Sequence, residues 1–206
     1  MNRLRAGFCQ VGNPFNPTQI SRLSLAPMDV DCFIFWTRNP APLLPMLGEL
    51  SDMGHEFLFQ VTITGYPKEL EPNAPPLEKV LSACAELARV WGRDRFVWRY
   101  DPVLICREVD VDFQARNFQN LCNELGGHTE RCIMSIISWY KKIDTFFRKH
   151  KVLARNELRR YERFPHLMRH MRECARHAGM ELQSCCEPLD LTPYDIHPGA
   201  CMDAKR

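Results

Sequence analysis

The chain has 206 residues, 45% hydrophobic and 25% charged, with a formal net charge of +2. That length and balance suit one globular domain over residues 1–206 that can bury a full core. A net charge so close to zero supplies no general field toward nucleic acid or an anionic membrane, and no apolar run approaches the roughly 20 residues a membrane span needs.

In chain order, the opening MNRLRAGFCQVGNP carries basic residues with no apolar stretch behind them, so it is not a secretory signal. Residues 8–25 place two short alternating runs around the turn-rich Asn13-Pro14-Phe15-Asn16-Pro17, which predicts a hairpin. DCFIFWT (31–37) reads as a strand. RNPAPLLPMLGELSDMG (38–54), with prolines early and Gly54 late, reads as a helix. EFLFQVTIT (56–64) is strand-like, GYPKELEPNAPP is loop, and LEKVLSACAELARVWG (77–92) has helical spacing closed by Gly92. FVWRYDPVLI is the next strand and VDFQARNFQNLCNELGG (111–127) the next helix. RCIMSIISWY (131–140) is a strand, and KKIDTFFRKHKVL is a linker or short helix. Residues 154–179 are helical in pattern, and Pro165 forces a kink or break. MELQSCCEPLDL (180–191) is the last strand.

Strand and helix alternate with short connections, which calls for parallel strands joined by helical crossovers. The strands read as apolar on both faces, as strands covered from both sides should. No glycine-rich phosphate loop follows any strand. The expected architecture is therefore α/β, a parallel-stranded partial (β/α) barrel of TIM-barrel type rather than a doubly wound sheet.

Such folds place their sites at the carboxyl ends of the strands. Those ends read Trp36-Thr37-Arg38-Asn39, Thr62-Ile63-Thr64, Arg99-Tyr100-Asp101, Ser135 to Lys142, and Ser184 to Glu187. Each strand turns polar at the same end, so parallel strands would bring Arg38, Thr62, Thr64, Arg99, Asp101, Ser138 and Glu187 to one rim. Simpler readings exist for each residue. Arg99 can pair with Asp101 or Glu187, Asp101-Pro102 can start a turn, and Thr62 and Thr64 suit any strand. Trp36, Trp98 and Trp139 read as packing.

Ten cysteines without a leader fit a reducing cytosol, and place the chain in the cytoplasm. Cys32, Cys84, Cys122, Cys132 and Cys174 sit in apolar segments and read as buried thiols. Cys185-Cys186 with His197 and Cys201 is the one local group of soft ligands. It lacks the paired spacing of a zinc site, and adjacent strand residues face opposite ways, so no metal site is expected within the chain. The basic run from Arg155 to His177 is interrupted by Glu157, Glu162 and Glu173 and reads as a solvated helix face. It gives no basic groove for nucleic acid.

NRLRAGF, VGNPFNPTQISRLSL, DCFIFWTRNPAPLLPML, WRYDPVL, HTERCIMSIISWYKK and SCCEPLDL with IHPGACMD occur in an order that resembles the family called domain of unknown function 1848, over nearly the whole chain. The resemblance implies a relative of radical S-adenosylmethionine enzymes. Three cysteines near the C-terminus would hold a [4Fe–4S] cluster, and S-adenosylmethionine and an unidentified small-molecule substrate would lie at the barrel rim. It places Arg38, Asn39, Arg99, Asp101, Cys185, Glu187 and Cys201 at the family's recurring positions. On this reading Arg99, Asp101 and Glu187 act catalytically, while Arg38, Asn39, Thr62, Thr64 and Ser138 order the cofactor. Family members begin with an earlier strand and continue past Cys201 into the cluster cysteines. The resemblance therefore makes this chain the barrel portion, truncated at both ends, without the cluster triad. An exposed edge beside strand 31–37 would favour self-association. Two other readings remain: a binding module or remnant that keeps the fold without chemistry, and a metal-assisted hydrolase, for which no histidine falls at an assigned strand end.

Overall fold

The computed structural model describes residues 1–200. A helical turn, α1 (Asn2–Arg5), leads into the antiparallel hairpin β1 (Phe8–Asn13) and β2 (Asn16–Ser24). The main sheet then forms from β3 (Phe33–Thr37), β4 (Phe57–Thr62), β5 (Phe96–Val103), β6 (Arg131–Ile136), β7 (Glu181–Ser184) and β8 (His197–Pro198). Its helices are α2 (Leu47–Asp52), α3 (Leu77–Trp91), α4 (Val111–Leu125), α5 (Asp144–His150), α6 (Arg155–Arg160) and α7 (Phe164–His177).

The predicted parallel α/β alternation is present. All six strands of the main sheet are parallel and lie in sequence order, β3-β4-β5-β6-β7-β8. The described residues form an open sheet, with β3 and β8 at its edges. A closed barrel is not what they build. Sequential order also distinguishes the fold from a doubly wound sheet, whose strand order reverses at a switch point. Right-handed crossovers between successive neighbours stack all the helices on one face.

The core has that one-sided form. Phe59, Trp98, Met134 and Leu182 pack in one cluster with Val80 and Leu87 of α3, Phe118 and Leu121 of α4, and Leu167 and Met171 of α7. The opposite face contributes a separate small cluster of Val97, Ile133 and Cys185, with Leu58 against it and no helical residue in it. Side-by-side partners in a parallel ladder share a face. The registers Trp36↔Gln60, Thr62↔Arg99, Arg99↔Ile133 and Ile133↔Gln183 therefore put Trp36, Gln60, Thr62, Arg99 and Gln183 on this second face. The expectation of strands apolar on both sides is corrected here: the face away from the helices is polar at its centre.

Several boundaries move. Residues 38–54 form only a 3-10 turn, Leu44–Met46, and the short α2, because Pro40, Pro42 and Pro45 withhold backbone donors. Pro165 separates α6 from α7 and sits in the first turn of α7, where its missing N–H costs nothing. Strand β5 continues through Asp101 and a cis Asp101-Pro102 bond to Val103, with an irregularity after Tyr100. Strands β6 and β7 end early, at Ile136 and Ser184, and the unpredicted β8 holds His197 against Gln183. No helix of the described residues is long and apolar enough to cross a membrane.

The turn leaving β4 has a strict steric demand. Gly65 has φ +63°, and a Cβ there would stand 2.6 Å from Asn117 Oδ1. Asn117 cannot withdraw freely, since its Nδ2 donates to Thr64 O at 2.7 Å and to the Tyr100 hydroxyl at 3.0 Å. Gly65→Ala should therefore destabilise the chain by about 2–4 kcal/mol, combining left-handed backbone strain with overpacking. Gly48→Ala, on an exposed helical site with nothing within 4 Å of the new carbon, should be neutral or mildly stabilising. Urea midpoints of the two variants compare them directly.

Candidate active-site rim

The carboxyl ends of β3 to β7 carry the polar residues expected of them, and the structure sorts them into three linked groups. The central group is built on β4, β5 and β6. Arg99 Nη2 donates to Asp101 Oδ2 at 2.5 Å, and its Nη1 donates to Gln60 Oε1 at 2.9 Å. Ser135 Oγ donates to the other oxygen of Asp101. The Arg99 side chain is 12% exposed and that of Asp101 27%, while Gln60 is wholly buried. The guanidinium is thus fixed from below by an amide that water cannot reach, and the carboxylate above it still meets solvent. Of the two partners open to Arg99, Asp101 is the one it pairs with. Gln60 is a residue that strand propensity passed over. Its signal was a lone amide within the apolar run FLFQV.

A second group joins the ends of β3 and β4 to the loop at residues 65–76. Arg38 grips Glu71 with both arms, Nη1 to Oε2 and Nη2 to Oε1, each at 2.8 Å. Thr64 Oγ1 donates to Glu71 Oε2 at 2.5 Å. Arg38, Thr62 and Thr64 line a cleft of about 180 Å³ here, with Ile63, Leu77 and Val80 as apolar wall. Glu71 carried no sequence signal, because nothing in GYPKELEPNAPP distinguishes one acidic residue from the next. Asn39 faces inward to its own turn: its N–H donates to Thr37 Oγ1, and its side-chain oxygen accepts from the Ala41 N–H.

Glu187 forms the third group. One oxygen accepts from the Ile136 N–H at 2.9 Å and the other from the Leu189 N–H at 3.0 Å. That geometry ties the loop after β7 to the end of β6. Ser138 lies beyond the end of β6 and is exposed, beside the exposed Trp139 and Tyr140.

Beneath the rim a buried polar network fixes the loop ends. Gln114 Nε2 donates to the Tyr66 hydroxyl at 2.8 Å and to Leu104 O at 2.6 Å, and its Oε1 accepts from the Tyr100 hydroxyl at 2.5 Å. Tyr66 donates to Pro102 O at 2.8 Å. Burial pushes both phenols well above the usual range, so they remain protonated donors.

The three tryptophans part company. Trp98 is buried and donates to Ile63 O at 2.9 Å, as packing predicts. Trp36 is 58% exposed on the polar face of the edge strand, and Trp139 is also exposed. The thiols divide too. Cys84, Cys122 and Cys132 are buried and Cys174 is half-buried, but Cys32, which stands just before the edge strand β3, is exposed. Burial pushes the Cys84 thiol up to about 12 and raises Cys122 and Cys132 as well, which leaves these sulfurs protonated and inert. Cys185 is buried and disulfide-bonded, and Cys186 is exposed. Cys201 lies outside the described residues. Within the basic run Arg163 pairs with Asp112, Arg172 with Asp195 and Arg176 with Glu173, in keeping with a solvated helix face.

Among the described residues no three His, Cys, Asp or Glu side chains come together as a metal-ligand set. A family model described as domain of unknown function (DUF1848) matches residues 1–206. No curated protein matches the chain.

Proposed function

The chain belongs to the DUF1848 family, and on that premise we propose that the carboxyl rim of its parallel sheet binds a small polar substrate, with Asp101 as the group that meets it. The observation that carries this reading is the clamp on Asp101, one oxygen held by Arg99 and the other by Ser135. A carboxylate fixed in advance accepts a hydrogen bond or a proton from a ligand without first reorganising. It stands where parallel folds gather their ligands. Arg99 and Gln60 position it, and Glu187 holds the neighbouring loop in place.

In its finer form we read the chain as the barrel portion of a radical S-adenosylmethionine-like, iron–sulfur-dependent enzyme. The described residues do not themselves fit a [4Fe–4S] cluster. Three of the thiols are protonated and sealed in the core, Cys185 is in a disulfide, and no ligand triad forms. Cluster thiolates would come from outside these residues. What this chain contributes is the rim: Asp101 toward S-adenosylmethionine or the substrate, and Arg38, Thr62 and Thr64 around the adjoining cleft.

S-adenosylmethionine is the probe that tests this. Asp101→Asn keeps the shape and the Ser135 and Arg99 contacts while removing the charge. It should weaken S-adenosylmethionine binding by at least about tenfold, since a charge-assisted hydrogen bond is lost, and it should also lower the melting temperature, because the Arg99 charge loses its partner, so binding is compared at temperatures where both chains are folded. A variant that shifts melting alone would favour the non-catalytic binding module. Anaerobic treatment of this chain with iron and sulfide should leave it without charge-transfer absorbance. Such a band would contradict the assignment of the cluster ligands elsewhere.

A further inference from the structure

We propose that the cleft at the carboxyl ends of β3 and β4 is a binding site for a small carboxylate, and that Glu71 from the chain's own loop occupies it until such a ligand takes its place. The inference stands on Arg38, Thr64 and Glu71 and does not depend on the role of Asp101.

Glu71 is received as a ligand would be. Both its oxygens sit in the planar fork of Arg38 at 2.8 Å, and Thr64 Oγ1 adds a third bond at 2.5 Å. Its side chain is 15% exposed. The receiving groups come from the ends of two different strands, where parallel folds place ligand groups rather than loop anchors. A guanidinium fork is specific for a flat two-oxygen anion in a way a lysine is not.

The residue that fills the fork belongs to no regular element. Residues 65–76 separate β4 from α3 without a strand or α-helix of their own, and they hold Pro67, Pro72, Pro75 and Pro76. Within this segment Lys68 Nζ donates to Ala74 O at 2.5 Å, so the loop is closed on itself. Tyr66 and Leu70 anchor it in the core, and the carboxylate of Glu71 is its contact with Arg38 and Thr64. Release of that carboxylate would free a preformed excursion rather than unravel a helix.

The cleft extends beyond the ion pair by about 180 Å³, room for a small acid of a few heavy atoms rather than a drug-sized ligand. Ile63, Leu77 and Val80 give it an apolar wall and Lys68 adds a second cation. That chemistry suits a carboxylate on a short apolar body. The exchange is also balanced in charge. Arg38 stays paired before and after, and Glu71 moves from the cleft to water beside the exposed Pro72 and Asn73, so the ligand replaces one carboxylate by another but competes with a tethered one.

Propionate reproduces the Glu71 side chain from Cβ outward, and propionamide is its neutral isostere. In the wild-type chain, propionate up to about 100 mM, a concentration that saturates even a weak millimolar site, should quicken tryptic cleavage after Lys68 several-fold. Propionamide, or sodium chloride at matched ionic strength, should not. Glu71→Gln cannot fill both arms of the fork, so its loop should be cut rapidly without ligand. It should also bind propionate at least about tenfold more tightly than the wild type, because the internal competitor is gone. Arg38→Met should abolish that binding. Cleavage of the wild-type chain that propionate leaves unchanged overturns the displacement, and this arm needs no variant to fold. A folded Glu71→Gln chain that takes up no propionate overturns the site itself. Either failure leaves the effect of Asp101→Asn on S-adenosylmethionine binding as a separate readout.

Discussion

Replacing Arg99 with methionine is expected to lower the stability of the chain by about 3–5 kcal/mol, the cost of breaking a largely buried ion pair by removing one partner. The Arg99 side chain is only 12% exposed, and its two arms hold Asp101 Oδ2 and Gln60 Oε1. Methionine matches the aliphatic stem but strips a donor from a wholly buried amide and leaves the Asp101 charge with Ser135 as its side-chain donor. Lysine would fare little better, since one ammonium cannot span both acceptors in the fixed geometry of the fork. The double variant Arg99→Met with Asp101→Asn should recover most of the loss, because a neutral pair no longer carries an uncompensated charge. Coupling of at least about 1.5 kcal/mol in a double-mutant cycle, read from urea denaturation, is the expected signature. Additive losses would mean that Arg99 supports the strand by packing alone and that the clamp on Asp101 is incidental. In that case the rim would lose the feature that makes it a candidate active site.

The parallel alternation was legible because it rests on period and punctuation. Apolar runs of five to eight residues alternate with helical patterns that end on Gly92 and on Gly126-Gly127. The polar tips were legible for the same reason, since Arg38, Thr62, Arg99 and Asp101 all follow or close such runs. What the sequence hid depends on partners far along the chain. Gln60 reads as an interruption in an apolar strand until Arg99, 39 residues later, is laid beside it. Glu71 is one acidic residue in a loop without periodicity, and only the Arg38 fork, 33 residues before it, singles it out. Strand β8 is two residues long, too short for any period to show. The one-sided helical packing was hidden as well. Alternation predicts crossovers, but only the sequential strand order shows that they share a face and leave Gln60, Arg99 and Asp101 opposite them.

That arrangement explains why one short sheet can carry both a full core and a polar rim. In β5 Arg99 faces away from the helices, with Asp101 bonded to it, while Phe96, Trp98 and Tyr100 fill the helical side and the irregularity after Tyr100 returns Val103 to that core. The strand that ends on an arginine, a phenol and a carboxylate is therefore serving two layers at once. Tyr100 belongs to the core network, and its two neighbours belong to the rim.

The second large effect is expected at that network. Gln114→Leu, nearly isosteric, should destabilise the chain by about 3–5 kcal/mol, because it strands two buried groups at roughly 1–3 kcal/mol each and also removes a bond to Tyr66. Gln114 is fully buried and supplies the acceptor for the Tyr100 hydroxyl and a donor to Leu104 O. Neither phenol can escape by ionising, since burial raises both well above the usual range. For a chain of this length the melting temperature should fall by about 6–20 °C. Adding Tyr100→Phe to Gln114→Leu removes the stranded hydroxyl and should return about 1–2 kcal/mol, whereas in the wild-type background the same change should destabilise, because it leaves Gln114 Oε1 without that donor. The loss should reach the rim as well. Tyr66 and Thr64 flank Gly65 at the start of the Glu71 loop, and Asn117 bonds both Thr64 O and Tyr100. Tryptic cleavage after Lys68 should therefore quicken in Gln114→Leu at temperatures where the chain is still folded. Unchanged cleavage alongside a lowered melting temperature would confine the network to the core and separate it from the loop it adjoins.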